Sequence, residues 1–143
     1  MNDKDLSAYS PSELILARSE AFARGDFGFI FDSYHSESNF RRQFVARREY
    51  LEFGNASLCQ DYQITSCQVL ESLMSDGEAQ VVFLIEMKVR GDVQKFAELA
   101  WLQQENDAWC YHRGQKITHD ELPEKPESLR IADFSGRDPS TIF

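Results

Sequence analysis

The sequence has few cysteines, no long run of apolar residues and little positive charge. Its three cysteines, Cys59, Cys67 and Cys110, are odd in number and have no C-x-x-C spacing, so they predict neither a disulfide framework nor a zinc site. No apolar stretch approaches the roughly 20 residues that a membrane-spanning helix needs, and the first residues lack the pattern of a signal peptide. These absences predict a cytoplasmic protein with no metal and no membrane association.

The scarcity of positive charge also bears on partners. Fifteen lysines and arginines stand against 24 acidic residues and give a formal net charge of -9. Such a chain is expected to repel phosphate backbones, so we expect no nucleic-acid partner. A local exception is a set of four arginines, Arg41, Arg42, Arg47 and Arg48. On one helix they would spread over most of the circumference, which predicts solvated charges rather than a basic stripe.

What the sequence does contain is enough apolar material for one core. The chain has 143 residues, of which 42% are hydrophobic and 13% aromatic. This size and composition are typical of a single globular domain. We predict an N-terminal extension over residues 1–9, a domain over residues 10–118 and an extended acidic tail over residues 119–143.

Helix signals occupy the first third of the chain. Ser10 and Glu13 have the spacing of a capping box and predict a first helix over residues 11–24. Asp26 predicts the cap of a second, short helix. Its apolar residues fall on a single stripe that must be buried, namely Phe27, Ile30, Phe31 and Tyr34.

Strand signals follow a third helix, which we predict over residues 37–53 with Gly54 and Asn55 at its end. Beyond it the apolar period changes to two, which predicts long strands. Turn signals divide this region into strands over residues 58–73, 78–90, 93–105 and 108–117. Four consecutive strands joined by hairpins predict an antiparallel meander.

Helices followed by such a sheet predict an α+β domain in which the helices cover one sheet face. Periodicity alone leaves a cone-shaped domain and a cystatin-like wrap both open. The tail carries a few apolar residues that we expect to dock on the domain or on a neighbour, namely Leu129, Ile131, Phe134, Ile142 and Phe143.

Two segments carry a family resemblance. One contains Pro11, Leu14, Arg18, Ala21, Phe22, Gly25, Asp26, Ile30 and His35; the other contains Glu98, Trp109, Tyr111 and Gly114. Both resemble the middle domain of the YchJ family, a branch of the NTF2-like superfamily. The resemblance implies an NTF2-like cone, with N-terminal helices packed on a curved antiparallel four-stranded sheet. It brings no catalytic motif.

Two departures limit what the resemblance implies. The family domain is often flanked by a Cys-rich, zinc-binding SEC-C motif, which is missing from both ends of this sequence. Leu99, Ala100 and Trp101 also differ from the polar residues that follow the glutamate in the family. We therefore expect no role that depends on the zinc motif.

Few residues in such a cone could carry chemistry. His35, at the end of the second helix, is a candidate proton-transfer group, with capping or packing as the alternative. Glu86 and Glu98, on neighbouring predicted strands, are candidate acid-base groups if burial raises their pKa, with exposure or a structural pair as the alternative. Arg47 is predicted to face the apolar side of the third helix, where it would bind an anion or close a structural ion pair.

Aromatic residues complete the predicted pocket, with Tyr34, Trp101 and Trp109 as lining candidates and core packing as the alternative. The sequence offers no nucleophile, metal set or phosphate-binding loop, and we expect no cofactor.

Three hypotheses follow for function. The first is a non-catalytic module that binds a small ligand or a protein and forms a homodimer through the exposed sheet face. The second is a cone-pocket hydrolase or isomerase acting on a small apolar substrate, with Glu98, His35 and Arg47 sharing the pocket. The third assigns partner binding to tail residues 134–143.

Overall fold

The computed structural model describes residues 6–134, in which five α-helices precede a four-stranded sheet, and this confirms the α+β class. The helices are α1 (Pro11–Ala23), α2 (Phe27–Asp32), α3 (Asn39–Gln43), α4 (Arg47–Phe53) and α5 (Cys59–Asp61). The strands are β1 (Tyr62–Ser75), β2 (Glu78–Val89), β3 (Asp92–Glu105) and β4 (Ala108–Ile117).

The first two helices begin at the caps that the sequence predicts. The Ser10 hydroxyl oxygen accepts a hydrogen bond from the Glu13 N–H at 3.2 Å, and the Glu13 carboxylate accepts one from the Ser10 N–H at 2.9 Å. After α1, Gly25 has a φ of 78°, a left-handed value that glycine adopts readily. Asp26 Oδ1 then accepts a hydrogen bond from the Phe29 N–H at 3.1 Å and caps α2. These contacts satisfy backbone donors that a helix start leaves open.

The predicted third helix is wrong in its extent, because the chain leaves helical geometry between α3 and α4. Phe44 has φ -108° and ψ 83°, and Ala46 has φ -98° and ψ 125°. In one continuous helix Phe44 and Tyr50 would lie about 120° apart around the axis. The break lets both rings contact Phe40, at centroid distances of 5.2 Å and 4.8 Å.

Gly54 was predicted to end the third helix, but in the structure it continues the helical path. Gly54–Leu58 forms a π-helical turn and α5 follows directly, so β1 begins at Tyr62 rather than at residue 58. A Cβ at position 54 would lie 2.5 Å from the ring of Phe27. The glycine is therefore required by close packing against α2.

The four strands form one antiparallel sheet in the order β1-β2-β3-β4, as predicted. Residues with left-handed backbones occupy the three connecting turns, with φ of 70° at Gly77, 93° at Gly91 and 53° at Asn106. These turns confirm the three predicted hairpins.

The helices pack on one face of the sheet, which we call the inner face. The stripe of α2 is buried against it, since Phe27, Ile30, Phe31 and Tyr34 are each at most 4% exposed. Two backbone hydrogen bonds of 2.8 Å tie the end of α2 to β4, from the His35 N–H to the Tyr111 carbonyl and from the Tyr111 N–H to the Ser33 carbonyl. The end of α2 is thereby fixed beside the residues of β4.

The opposite, outer face is covered by the chain that follows β4. Leu129 and Phe134 are 6% and 1% exposed and pack with Val82, Leu84, Ala97, Leu99 and Ile117. The Ile131 N–H donates a hydrogen bond of 2.8 Å to Glu71 Oε1. The predicted tail therefore docks on its own domain as far as Phe134, through short 3₁₀ turns at His119–Glu121, Pro126–Ser128 and Ile131–Phe134. Ile142 and Phe143 lie outside the described residues.

Candidate functional site

A cavity of about 270 Å³ lies between the helices and the inner face of the sheet. Its volume is close to the lower end of the range of ligand pockets, and it accommodates a molecule of roughly ten non-hydrogen atoms. Most of its wall is apolar and comes from both layers, from Ile15, Phe22, Ile30, Leu58, Tyr62, Ile64, Phe83, Ile85, Met87 and Phe96.

The polar side chains of the cavity surround Glu98. This glutamate lies on β3, is 4% exposed and points to the inner face. The Tyr111 hydroxyl donates a short hydrogen bond to Glu98 Oε2. Lys116 is the cross-strand partner of Glu98 on β4, and Arg18 approaches from α1. The sheet and the helices thus both contribute polar groups to one carboxyl.

Tyr111 and Lys116 reach the same cavity because β4 contains one extra residue. The register between β3 and β4 shifts at His112, which is left out of the pairing. Without this bulge, a spacing of five residues would place Tyr111 and Lys116 on opposite faces of the strand. The bulge therefore determines which side chains of β4 line the cavity.

Gly114 provides the space for the hydrogen bond between Tyr111 and Glu98. A Cβ at position 114 would lie 2.6 Å from Glu98 Oε2 and closer still to the Tyr111 hydroxyl oxygen. Neither contact is sterically acceptable. The absence of a side chain at Gly114 is thus a requirement of the site itself.

Arg18 holds a buried guanidinium beside these groups and is 8% exposed. Its Nη1 donates hydrogen bonds to Ser33 Oγ at 2.5 Å and to the Ile30 carbonyl at 3.3 Å. The guanidinium carbon lies 4.4 Å from the centre of the Tyr34 ring and 4.6 Å from that of Tyr111. Neutral oxygens and two aromatic faces therefore stabilise this charge.

Burial raises the pKa of Glu98 above its ordinary value of 4.5. Lys116, the Tyr111 hydroxyl and Arg18 each act in the opposite direction, because they stabilise the carboxylate. Burial, and the neighbouring Glu98, also raise the pKa of Tyr111 well above its ordinary value of 10.0. A carboxyl in this environment can hold a proton at a higher pH than a solvated one, and can exchange it with a bound molecule.

Of the site residues predicted from the sequence, Glu98 lines this cavity. Tyr34 does not line it but contacts two residues that do, Arg18 and Tyr111. The ring of Tyr34 stacks under Arg18 and meets the ring of Tyr111 edge to face at 5.3 Å. Desolvation raises the pKa of Tyr34 above its ordinary range, so this ring serves as a neutral platform for the guanidinium.

Arg47 lies outside the cavity, in contrast to its predicted place on the apolar side of the third helix. Its Nε donates a hydrogen bond to Asp32 Oδ1 at 2.9 Å, and its Nη2 donates one to Asp32 Oδ2 at 3.2 Å. The two side chains are 49% and 46% exposed. The expected orientation assumed one continuous helix, and the break before α4 turns Arg47 toward solvent.

His35 is buried but serves the turn after α2. Its Nδ1 accepts a hydrogen bond from the Glu37 N–H at 3.0 Å, and its ring centre lies 5.3 Å from that of His112. It does not line the cavity. The structure therefore does not bring together the three side chains proposed for an enzyme, which are Glu98, His35 and Arg47.

Glu86 and Trp101 lie on the outer face, and Trp109 packs beside the inner core without lining the cavity. Glu98 pairs across the sheet with Phe83, and Glu86 is three residues further along β2, so strand alternation puts the two carboxyls on opposite faces. Glu86 Oε1 accepts a hydrogen bond from Thr65 Oγ1 at 3.0 Å. The expected pair of Glu86 and Glu98 in one site is therefore not formed.

Arg18 and Lys116 are cavity residues that the sequence reasoning did not select. Arg18 is four residues after Leu14 and three before Ala21, both 0% exposed, so helical spacing places it on the buried face of α1. A charged residue on that buried stripe is the sequence signal that could have identified Arg18. No such signal exists for Lys116, because its side of the strand depends on the bulge at His112.

Residues 6–134 contain neither a group of metal ligands nor a membrane-spanning helix. No group of three or more His, Cys, Asp and Glu side chains within this range could hold a metal ion. None of the helices in the same range has the length and apolar character needed to cross a membrane.

Comparison with known proteins agrees with this architecture. The family model described as YchJ, middle NTF2-like domain, matches residues 10–114. The solution structure of a SEC-C motif containing protein from Rhodopseudomonas palustris is similar, with a TM-score of 0.61 and 18% identity over 78% of this chain and 80% of that chain. At this identity the likeness shows the fold alone.

A crystal structure of an NTF-2 like protein of unknown function from Shewanella oneidensis also matches, with 15% identity and a TM-score of 0.48 over 73% of this chain and 93% of that chain. No curated protein matches the sequence. Because the family model covers well over half of the chain, the chain belongs to the family of YchJ middle NTF2-like domains.

Proposed function

We propose that this protein is a non-catalytic module that binds a small, largely apolar molecule in the cavity between helices and sheet. The observation that supports the proposal is the cavity itself, about 270 Å³ in volume with mostly apolar walls around one buried polar cluster. Protein interiors are usually close-packed, and unfilled space lowers stability. A cavity of this kind with a few convergent polar groups has the usual composition of a ligand site.

The polar cluster is suited to orienting a ligand. Glu98 is held by the Tyr111 hydroxyl, and Arg18 is held by Ser33 and the Ile30 carbonyl. Side chains fixed in this way lose little further freedom when a ligand arrives, which favours binding.

An enzyme is the second candidate, and Glu98 is the observation that favours it. A buried carboxyl with a raised pKa, hydrogen-bonded to a tyrosine inside a cavity, has the properties of a general acid or base. A hydrolase or isomerase acting on a small apolar substrate would depend on it. Glu98→Gln would then abolish turnover while leaving binding in place.

The test of the binding proposal is a pair of matched substitutions at methionine. Met87 lines the cavity, whereas Met74 is 61% exposed at the end of β1. Small amphipathic compounds are titrated into the full chain, and the methyl signals of Ile15, Ile30, Ile64 and Ile85 are followed by NMR. We expect shifts at these methyl groups in the wild type and in Met74→Trp, but not in Met87→Trp, where the indole fills the cavity.

The variants are compared only after their spectra show a folded chain. Shifts that persist in Met87→Trp, or that spread over the protein surface in every variant, would contradict the proposed binding site.

We further propose that the homodimer expected from the sequence uses the part of the outer face that the C-terminal segment leaves open. Leu73 on β1 and Val93 on β3 are 58% and 56% exposed at opposite ends of this face, and each supports an apolar contact at its own end. Light scattering coupled to size exclusion would measure the mass in solution. A wild-type dimer that becomes a monomer in Leu73→Glu would support the proposed interface. A monomeric wild type would contradict it.

A cytoplasmic location stays a prediction. It is supported by Cys59, Cys67 and Cys110, which are all free thiols, as is usual in reducing compartments.

A further inference from the structure

We infer that the cavity binds a small organic anion, a compound with an apolar body and a single carboxylate or similar negative group. The inference rests on the proposed function, since it names the class of ligand for the same cavity. Lys116 and Arg18 would hold the negative group, and the apolar body would lie against Phe22, Ile64, Phe83 and Met87.

The charges that line the cavity have an excess of positive sign. Among the described residues of its wall, Arg18 and Lys116 are cationic and Glu98 is the one acid. The cavity is therefore positive whether Glu98 is ionised or protonated. The chain as a whole carries a formal charge of -9, so the local sign is opposite to that of the protein. Such a reversal attracts anions into the cavity selectively.

Neither cation forms a salt bridge with a carboxylate in the described part of the chain, although Glu98 lies near both. Ion pairs within residues 6–134 join Arg24 to Asp26, Arg47 to Asp32 and Arg90 to Asp61. Arg18 instead contacts neutral oxygens and aromatic faces, and Lys116 Nζ lies 4.6 Å from the centre of the Phe96 ring. Two cations face one acid in this cavity, so an anionic ligand would supply a further negative charge through charge-assisted hydrogen bonds.

Both cations act at the same place in the cavity. Lys116, from the sheet, is the cross-strand partner of Glu98. Arg18, from the helix layer, lies 4.6 Å from the centre of the Tyr111 ring, whose hydroxyl bonds Glu98. Burial nevertheless favours the protonated form of Glu98. A protonated Glu98 can donate a hydrogen bond to a ligand carboxylate, whereas an ionised one would repel it.

A cationic amine is the rival ligand class, because aromatic rings and a carboxyl can together bind one. The two lining cations oppose that alternative. The experiment therefore compares three probes with a shared phenyl group, namely phenylacetate, phenylacetamide and phenethylamine. Each has about ten non-hydrogen atoms, which matches the cavity.

The probes are titrated up to about 10 mM into the full chain near neutral pH, with methyl shifts as the readout. We expect phenylacetate to bind about tenfold or more tightly than phenylacetamide, and phenethylamine to bind least. Lys116→Met should remove the preference for phenylacetate and leave the affinity for phenylacetamide unchanged. Lys116→Arg should keep the preference for phenylacetate. Lys88→Met, at an exposed lysine outside the cavity, is the matched control and should change neither affinity.

The possible failures are distinguishable. Equal affinity for acid and amide, tighter binding of the amine, or an unchanged preference in folded Lys116→Met would overturn the inference and leave the binding proposal intact. If none of the three probes shifts the cavity methyl groups, the binding proposal itself fails and the inference with it.

Discussion

The two faces of the sheet are covered in different ways. On the outer face, Leu129 and Phe134 pack directly on apolar residues of β2 and β3. On the inner face, the helices leave a cavity whose wall includes Arg18, Glu98 and Lys116. The outer face shows that this chain can close a sheet with apolar contacts from its own C-terminal segment. Charged groups are thus not needed to cover the inner face, and we interpret them as ligand-binding groups.

The largest expected effect tests the outer face. Phe134→Ala removes a ring that is 1% exposed and should lower the free energy of unfolding by about 3 kcal/mol, because it leaves a gap against β2 and β3. Denaturant unfolding measures the loss. Met74→Ala, at a residue 61% exposed, is the control and should change stability by less than about 0.5 kcal/mol. A comparable loss in both variants would show that Phe134 has no special part in closing this face.

The next effect concerns the polar cluster of the inner face. Gly114→Ala places a methyl group against Glu98 and Tyr111 and should cost about 2 kcal/mol of stability. Adding Tyr111→Phe removes the hydroxyl in the way, so the double variant should lose less stability than the sum of the two single losses. If the double variant is as unstable as the sum of the two, the proposed steric conflict is absent.

A smaller effect follows from the pKa of Glu98. Because burial raises it, the folded state binds more protons than the unfolded state between pH 4.5 and the raised value, and stability falls as pH rises through this window. The slope for one proton is at most about 1.4 kcal/mol per pH unit. Glu98→Gln should remove this fall, so the variant gains stability relative to the wild type as pH rises.

Denaturant unfolding at several pH values measures the effect, with Glu86→Gln on the outer face as the matched control. A constant difference between Glu98→Gln and the wild type across the window would contradict the raised pKa.

The smallest effect separates the cavity from the surface of the helix layer. Arg47→Met removes an exposed ion pair with Asp32 and should change stability by less than about 1 kcal/mol. It should leave phenylacetate affinity unchanged, whereas Arg18→Met should weaken it. Weaker phenylacetate binding in Arg47→Met would contradict this account, because it would show that Arg47 contributes to the binding site.

Local signals in the sequence predicted most of the fold. The caps at Ser10 and Asp26 and the turns at Gly77, Gly91 and Asn106 depend on neighbouring residues alone, and the structure has them where expected. The split of the third helix could not be predicted in this way. It depends on rings that meet only in the folded chain, chiefly Phe40, Phe44 and Tyr50.

The candidate site was less predictable for the same reason. Glu98 was selected as an acidic residue on a predicted strand beside that of Glu86. Arg18 was not selected, although it lies on the buried helical stripe of α1. The companions of Glu98 on β4 depend on the bulge at His112, which exchanges the two faces of the strand. Arg47 was misplaced because its orientation depended on a helix that does not continue.

The most direct test of the contrast between the faces is the phenylacetate affinity of Phe134→Ala and Lys116→Met, measured under conditions in which both variants are folded. The account predicts wild-type affinity in Phe134→Ala, despite its lower stability, and about tenfold weaker binding in Lys116→Met, with its stability nearly unchanged. Loss of binding in Phe134→Ala together with full binding in Lys116→Met would contradict it.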